Sequence, residues 1–224
     1  MKKTNKKLIA MLLVMALLVG GAVGGTLAWL LDKTNTITNT FTDSDINITL
    51  TESASTNPDD NDSSGNTNSY QMIPGHIIAK DPKVTVANDS EDCWLFVKVT
   101  ESTTLDAYIA YAIADGWETV EGTKGSGEYV IGRKVMKTAS QKSFDILGGG
   151  TYPNTTENTT DDEYPWTTNQ VLVKPEVTKQ MMDSIDEGAV KPTLTFTAYA
   201  VQLKNSNNTE FSVAQAWAEA QKLG

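Results

Sequence analysis

The chain has 224 residues, 18 basic and 28 acidic, for a formal charge of −10. That balance argues against a nucleic-acid partner, because affinity for a phosphate backbone rests on clustered lysine and arginine. With Cys93 as the only cysteine no internal disulfide can form, so the fold must be held by packing, for which 39% apolar residues suffice.

Lys2, Lys3, Lys6 and Lys7 precede an apolar run over residues 8–19 that thins through Gly20, Gly21, Gly24 and Gly25 into Thr26-Leu27-Ala28. A basic start, a short apolar centre and small residues before a cut make the layout of a signal peptide. The pattern predicts a signal-peptide helix over 1–28 with cleavage between Ala28 and Trp29. A spanning helix needs about 20 apolar residues, so retention as a membrane anchor is the alternative, and the membrane enters only through that uncleaved segment. Cleavage removes four lysines and no acid, taking the formal charge from −10 to −14. Residues 29–224 are then read as a single domain.

Short stretches rich in Val, Ile, Thr and aromatics, separated by Gly, Pro, Asn and Asp clusters, predict a mainly β sandwich or barrel. Trp29, Leu31, Ile37 and Phe41 share one parity of an extended N-terminal strand. After Asp43-Ser44-Asp45 the pattern resumes as Ile46, Ile48 and Leu50 on the other parity, a phase change expected of a turn or bulge. Residues 53–69 hold no large apolar side chain before the strand-forming residues resume and predict a mobile loop. Pro74-Gly75 marks a turn, Val84 and Val86 a strand, and Trp94-Leu95-Phe96-Val97-Lys98-Val99 a buried central strand with Lys98 on the solvent side.

Leu105, Tyr108, Ile109, Ala112 and Ile113 fall at helical spacing and predict a short helix. Residues 128–135 and 143–147 read as strands, and Gly148-Gly149-Gly150 as a flexible turn opening a second mobile loop over 148–165. Residues 170–174 alternate as a strand. Val177, Met181 and Ile185 share a helical face that Gly188 can end. The strongest β signal is residues 194–201, and Ser212 with Gln215 makes a capping box before Val213, Ala216, Trp217 and Ala220, predicting a C-terminal amphipathic helix.

Three stretches in order resemble the TasA/camelysin family, whose precursors carry a signal peptide processed by a SipW-type signal peptidase. They are Gly24-Gly25-Thr26-Leu27-Ala28-Trp29-Leu30-Leu31-Asp32 with Thr38-Asn39-Thr40-Phe41 and the 46–52 strand; Pro74-Gly75 leading to Lys80-Asp81-Pro82-Lys83-Val84 and the 94–99 strand; and Val177-Thr178-Lys179-Gln180-Met181-Met182-Asp183 with the 194–202 strand. Where a typical member has glycine after the first Phe strand, this chain has Asp43-Ser44-Asp45. The resemblance implies a jelly-roll-like antiparallel β-sandwich with a few short helices, secretion from a Gram-positive-type bacterium, and assembly into biofilm matrix fibres. It also implies an alternative, since camelysin-type members have been classed as metalloendopeptidases.

A zinc peptidase needs about three protein ligands and a base for the water. This chain has one histidine, His76, which follows the turn read at Pro74-Gly75 and has no second imidazole to join it. The stretch Asp60-Asn61-Asp62-Ser63-Ser64-Gly65 matches the first half of a calcium loop, but position twelve would be Gln71, so it reads as a solvated loop. No nucleophile elbow is present. Cys93 beside Trp94 reads as a small buried hydrophobe rather than a reactive thiol. The expectation is therefore no cofactor, no bound metal and no enzymatic activity.

What remains is the trimmed N-terminus. An arm with Trp29, Leu31, Ile37 and Phe41 as candidate donor-strand residues could complete a neighbour's sheet, or pair within its own sandwich. The sequence thus points to a secreted structural protein of the bacterial cell surface or biofilm matrix. Its expected partners are further copies of itself, other matrix proteins and, during export, a SipW-type signal peptidase. A secreted metalloendopeptidase and a monomeric surface adhesin or binding module are the alternatives.

Overall fold

Runs of β-branched and aromatic residues between turn clusters fold here as short strands, all paired antiparallel among the described residues. The structure is a computed structural model and describes residues 46–53, 68–153 and 163–223. The signal segment, its Ala28/Trp29 boundary, the arm with Trp29, Leu31, Ile37 and Phe41, and the phase change at 43–45 lie outside the described residues.

In chain order the elements are β1 (Ile48–Thr51), β2 (Ile77–Ala79), β3 (Lys83–Val86), β4 (Cys93–Glu101), the one-turn helix α1 (Leu105–Tyr108), β5 (Ile109–Ala110), β6 (Ala112–Ile113) and β7 (Glu118–Gly122). They continue as β8 (Glu128–Val135), β9 (Ser143–Asp145), β10 (Leu147–Gly148), β11 (Gly150–Pro153), β12 (Glu163–Trp166), β13 (Gln170–Val173), α2 (Lys179–Asp186), β14 (Leu194–Gln202) and α3 (Val213–Ala220). The expected mainly β, antiparallel, sandwich-like architecture with a few short helices holds.

The largest sheet has the order β14-β4-β8-β7. Cys93, Leu95, Val97 and Val99 of β4 point into the sandwich, where Val84, Val86, Phe144 and Ile146 meet them. Trp94 and Phe96 point to the other face, where Ala216, Trp217 and Ala220 of α3 cover them. A strand facing two cores must be apolar at consecutive positions, which is why residues 94–97 do not alternate. Lys98 is the half-buried exception and ion-pairs with Glu128 at 2.6 Å.

The C-terminal helix forms as its cap predicts. Gln215 N donates to Ser212 Oγ at 3.3 Å, and Ser212 N donates to Gln215 Oε1 at 3.0 Å, satisfying two N–H groups that a helix start leaves open. Trp217 then packs at 5.4 Å from Phe96 and edge-on at 5.5 Å from Tyr199, so the helix seals the outer face of the sheet.

Opposite lies the β1-β3-β9 sheet, in which Ile46, Ile48 and Leu50 turn inward as their alternation requires. A second core gathers around the β2-β13-β5 sheet and contains Leu105, Tyr108, Tyr111, Leu147, Val173 and Val177. Thr178 caps α2 by accepting from Met181 N at 3.2 Å, and Gly188, at φ +107°, follows its end.

Three expectations need correction. The helical spacing over 105–113 yields only the single turn α1; residues 109–110 pair with β13 and residues 112–113 with β10. So short a helix is marginal by itself, and partner strands offer Ile109 and Ile113 an extended, buried alternative. The strand read over 143–147 is two, β9 paired with β3 and β10 with β6, because the chain changes sheets at the fully buried Ile146.

The mobile loop expected over 148–165 is ordered at both ends, where β11 and β12 pair as a hairpin; residues 154–162 lie outside the described residues. Gly148-Gly149-Gly150 is no flexible turn. A Cβ on Gly148 would sit 2.7 Å from the Ile113 carbonyl oxygen, one on Gly149 2.9 Å from the Trp166 carbonyl oxygen, and one on Gly150 would fall onto the Trp166 indole. The glycines let backbone and ring approach one another. In the other expected loop, 54–67 lies outside the described residues, while Ser53 is held by Asp81 through its N–H (2.8 Å) and Oγ (2.7 Å).

Candidate functional site

The two sheets end side by side at β14 and β1. Among the described residues β14 pairs along one edge only, with β4, and β1 along one edge only, with β3, although the two strands adjoin. Along this edge of the nine-residue β14 every second residue thus presents its backbone donor and acceptor with no strand partner among the described residues, the condition under which an edge recruits another strand.

Beside this edge lies a cavity of about 670 Å³. Its floor is Leu105, Ile109, Val171 and Ile185 from the second core, and its walls are Leu50 of β1 and Leu194 and Phe196 of β14. Leu194 and Phe196 pack against both cores, so the cavity marks the seam where the two meet. Its lining is mixed, with Asn68, Tyr70, Asp186 and Lys191 beside the apolar side chains, and one polar group in it is largely buried.

That group is an ion pair. Lys80 Nζ donates to Glu52 at 2.9 Å (Oε1) and 3.0 Å (Oε2), with side chains only 11% and 13% exposed. The Tyr70 hydroxyl donates to Glu52 Oε1 at 2.7 Å. The ammonium stands 5.6 Å from both the Tyr70 and the Phe196 ring centroids. Burial, and then the acceptor Glu52, push the Tyr70 phenol far above its ordinary range, so it remains a donor at any physiological pH. Together these bonds tie the end of β1 to the residues after β2 and fix one wall of the cavity.

The residues weighed for catalysis stand elsewhere. His76 is exposed in the Pro74-Gly75 turn, where only its backbone is engaged, accepting from Val173 N at 2.9 Å and donating to Ile73 O at 3.0 Å. Cys93 is fully buried, and burial pushes its thiol up to about 11. The calcium-like stretch 60–65 lies outside the described residues, and Gln71 is exposed. Among the described residues no three His, Cys, Asp or Glu side chains converge as a metal-binding group, and no helix is long and apolar enough to cross a membrane.

Sequence reasoning missed the Glu52–Lys80–Tyr70 group, whose members are far apart in the chain and follow no motif. It also passed over Arg133, the one arginine in the chain, although its place between Ile131 and Val135 on the inward parity of β8 was a readable signal. No family model, curated protein or solved structure matches this chain.

Proposed function

We propose that this chain is a secreted structural protein of the bacterial surface or biofilm matrix, whose trimmed arm, residues 29–41, adds to the β14 edge of a neighbouring copy. The observation that carries this reading is a nine-residue edge without a strand partner among the described residues, set beside a cavity with an apolar floor. Extended, the 13 residues of the arm reach about 43 Å, and nine residues of β14 run about 30 Å, so the arm is long enough to follow the edge where β1 does not adjoin it. Main-chain hydrogen bonds would supply affinity at roughly 0.5–1.5 kcal/mol each. Trp29, Leu31, Ile37 and Phe41 on one parity would set the register by seating in apolar recesses such as that between Leu50 and Phe196.

Donation from one copy to the next is head-to-tail and does not close, so the product is a filament. A mature charge of −14 opposes it, and salt screens that repulsion. Export and trimming by a SipW-type signal peptidase would release the arm.

The test compares secreted protein beginning at Trp29 with a form lacking 29–41, by negative-stain electron microscopy and light scattering. Filaments from the first alone are the expected result. Filaments of equal number and width from the shortened form would rule out strand donation.

A further inference from the structure

β8 sends Tyr129, Ile131 and Val135 into the sandwich core, and Arg133 shares their parity. β8 is paired on both edges, with β4 and β7, so this is a charge on the inner face of a central strand. Arg133 is half-buried, and packing alone would favour an aliphatic residue there, since even partial desolvation of a charge is costly without a counter-ion.

The guanidinium is clamped. Its carbon lies 3.9 Å from the Phe144 ring centroid and 5.3 Å from that of Trp117, and a Cβ on Gly116 would come within 3.1 Å of Nη2. Trp117 is held in turn by donating from Nε1 to the Asp145 carbonyl at 2.8 Å. Yet no carboxylate of the described residues lies in ion-pairing reach of Arg133, and its Nε is buried without an acceptor among them. Burial also pushes its pKa down, as it does for a cation lacking a counter-charge.

Beside it opens a cavity of about 260 Å³, lined by Arg133, Gln141, Phe144, Gly148, Gly149 and Thr168. Two acids also border it. Asp145 is already met by Lys83 at 3.2 Å and by the Asn169 amide at 3.2 Å, and Asp115 is exposed at the rim. A phosphate dianion would face both, whereas a planar monoanion meets less repulsion and matches a flat, ring-clamped fork.

We infer that the Arg133 cavity binds a carboxylate-bearing group the size of an acidic side chain, gripped by the guanidinium while Phe144 and Trp117 hold the fork in place. The carboxylate belongs either to a small organic acid or to an aspartate or glutamate of a second copy. The inference is independent of strand donation at β14.

The test uses the secreted full chain and the probe propionate, a planar monoanion the size of a glutamate side chain, with inorganic phosphate as comparator, at constant ionic strength. Binding is followed by the indole N–H resonance of Trp117, assigned with Trp117→Phe. The expected result is a saturable shift that weakens by about tenfold or more in Arg133→Met and by less in Arg133→Lys, with urea stability of both variants no lower than the parent's. For the second source, sedimentation over a concentration series would show self-association that propionate competes away and Arg133→Met abolishes.

Either pattern supports the inference. It is overturned if neither appears, if Arg133→Met binds as the parent does, or if phosphate binds more tightly than propionate. Should Arg133→Met fail to fold, Arg133→Lys carries the comparison, and unchanged propionate binding in that variant refutes bidentate recognition.

Discussion

Replacing Lys80 by Met would leave the Glu52 carboxylate 13% exposed and without its cation. At 2.9 Å and an effective dielectric of about 20, the attraction lost is about 6 kcal/mol gross. Most of that had offset desolvation of the two charges, and Glu52 keeps the Tyr70 hydroxyl at 2.7 Å. The net cost of Lys80→Met should therefore be about 2–4 kcal/mol, with two weak cation–π contacts included.

The double variant Lys80→Met with Glu52→Gln removes both charges while leaving Tyr70 an acceptor, and should cost only about 1 kcal/mol. Urea unfolding of the secreted chain at neutral pH, followed by tryptophan fluorescence, reads both, and the slope with denaturant should not change. In a thermal scan the single variant should melt about 6–12 °C lower. The reasoning fails if single and double variants lose the same stability. The pair would then act as an exposed contact screened by water, and the wall it fixes beside β14 would be held by packing alone.

Gly132 faces Phe96, and a Cβ there would lie 2.8 Å from its Cδ1 and 2.9 Å from Val120 Cγ2, so Gly132→Ala should cost about 1–3 kcal/mol in the same urea assay; a neutral effect would mean the sheet yields at this point. Ser212→Ala removes one arm of the capping box and should cost about 1 kcal/mol, with far-UV circular dichroism showing fraying at the C-terminus and no global loss of strand signal. The Cys93 thiol titrates at about 11 in the folded chain against 9.0 ordinarily. Across that window the unfolded chain releases a proton that the native one keeps, so stability falls as pH rises from 9 to 11, by at most about 2.7 kcal/mol. Cys93→Ala should flatten this part of the stability–pH curve; parallel curves for parent and variant would show that the thiol is not sheltered.

The features readable from the sequence are those encoded within a few neighbouring residues. The Ser212–Gln215 box, the Val177-Met181-Ile185 face ended by Gly188, and the Pro74-Gly75 turn each specify a local conformation without reference to the rest of the chain. Consecutive apolar residues at 94–97 likewise announce a strand buried on both faces, although not that a C-terminal helix supplies one of the covers.

Tertiary structure alone decided the rest. Residues 109–113 became strands because residues 147–148 and 170–173 came to lie beside them, and the pull of distant partners leaves no trace in local spacing. Gly148-Gly149-Gly150 looks like a hinge until Trp166 and the Ile113 carbonyl are brought against it. Glu52 meets Lys80 and Tyr70, and Arg133 meets Phe144 and Trp117, only after the sheets have closed. Caps, turns and alternation are properties of short stretches, whereas a cavity or a buried charge is a property of surfaces that meet only in the folded chain.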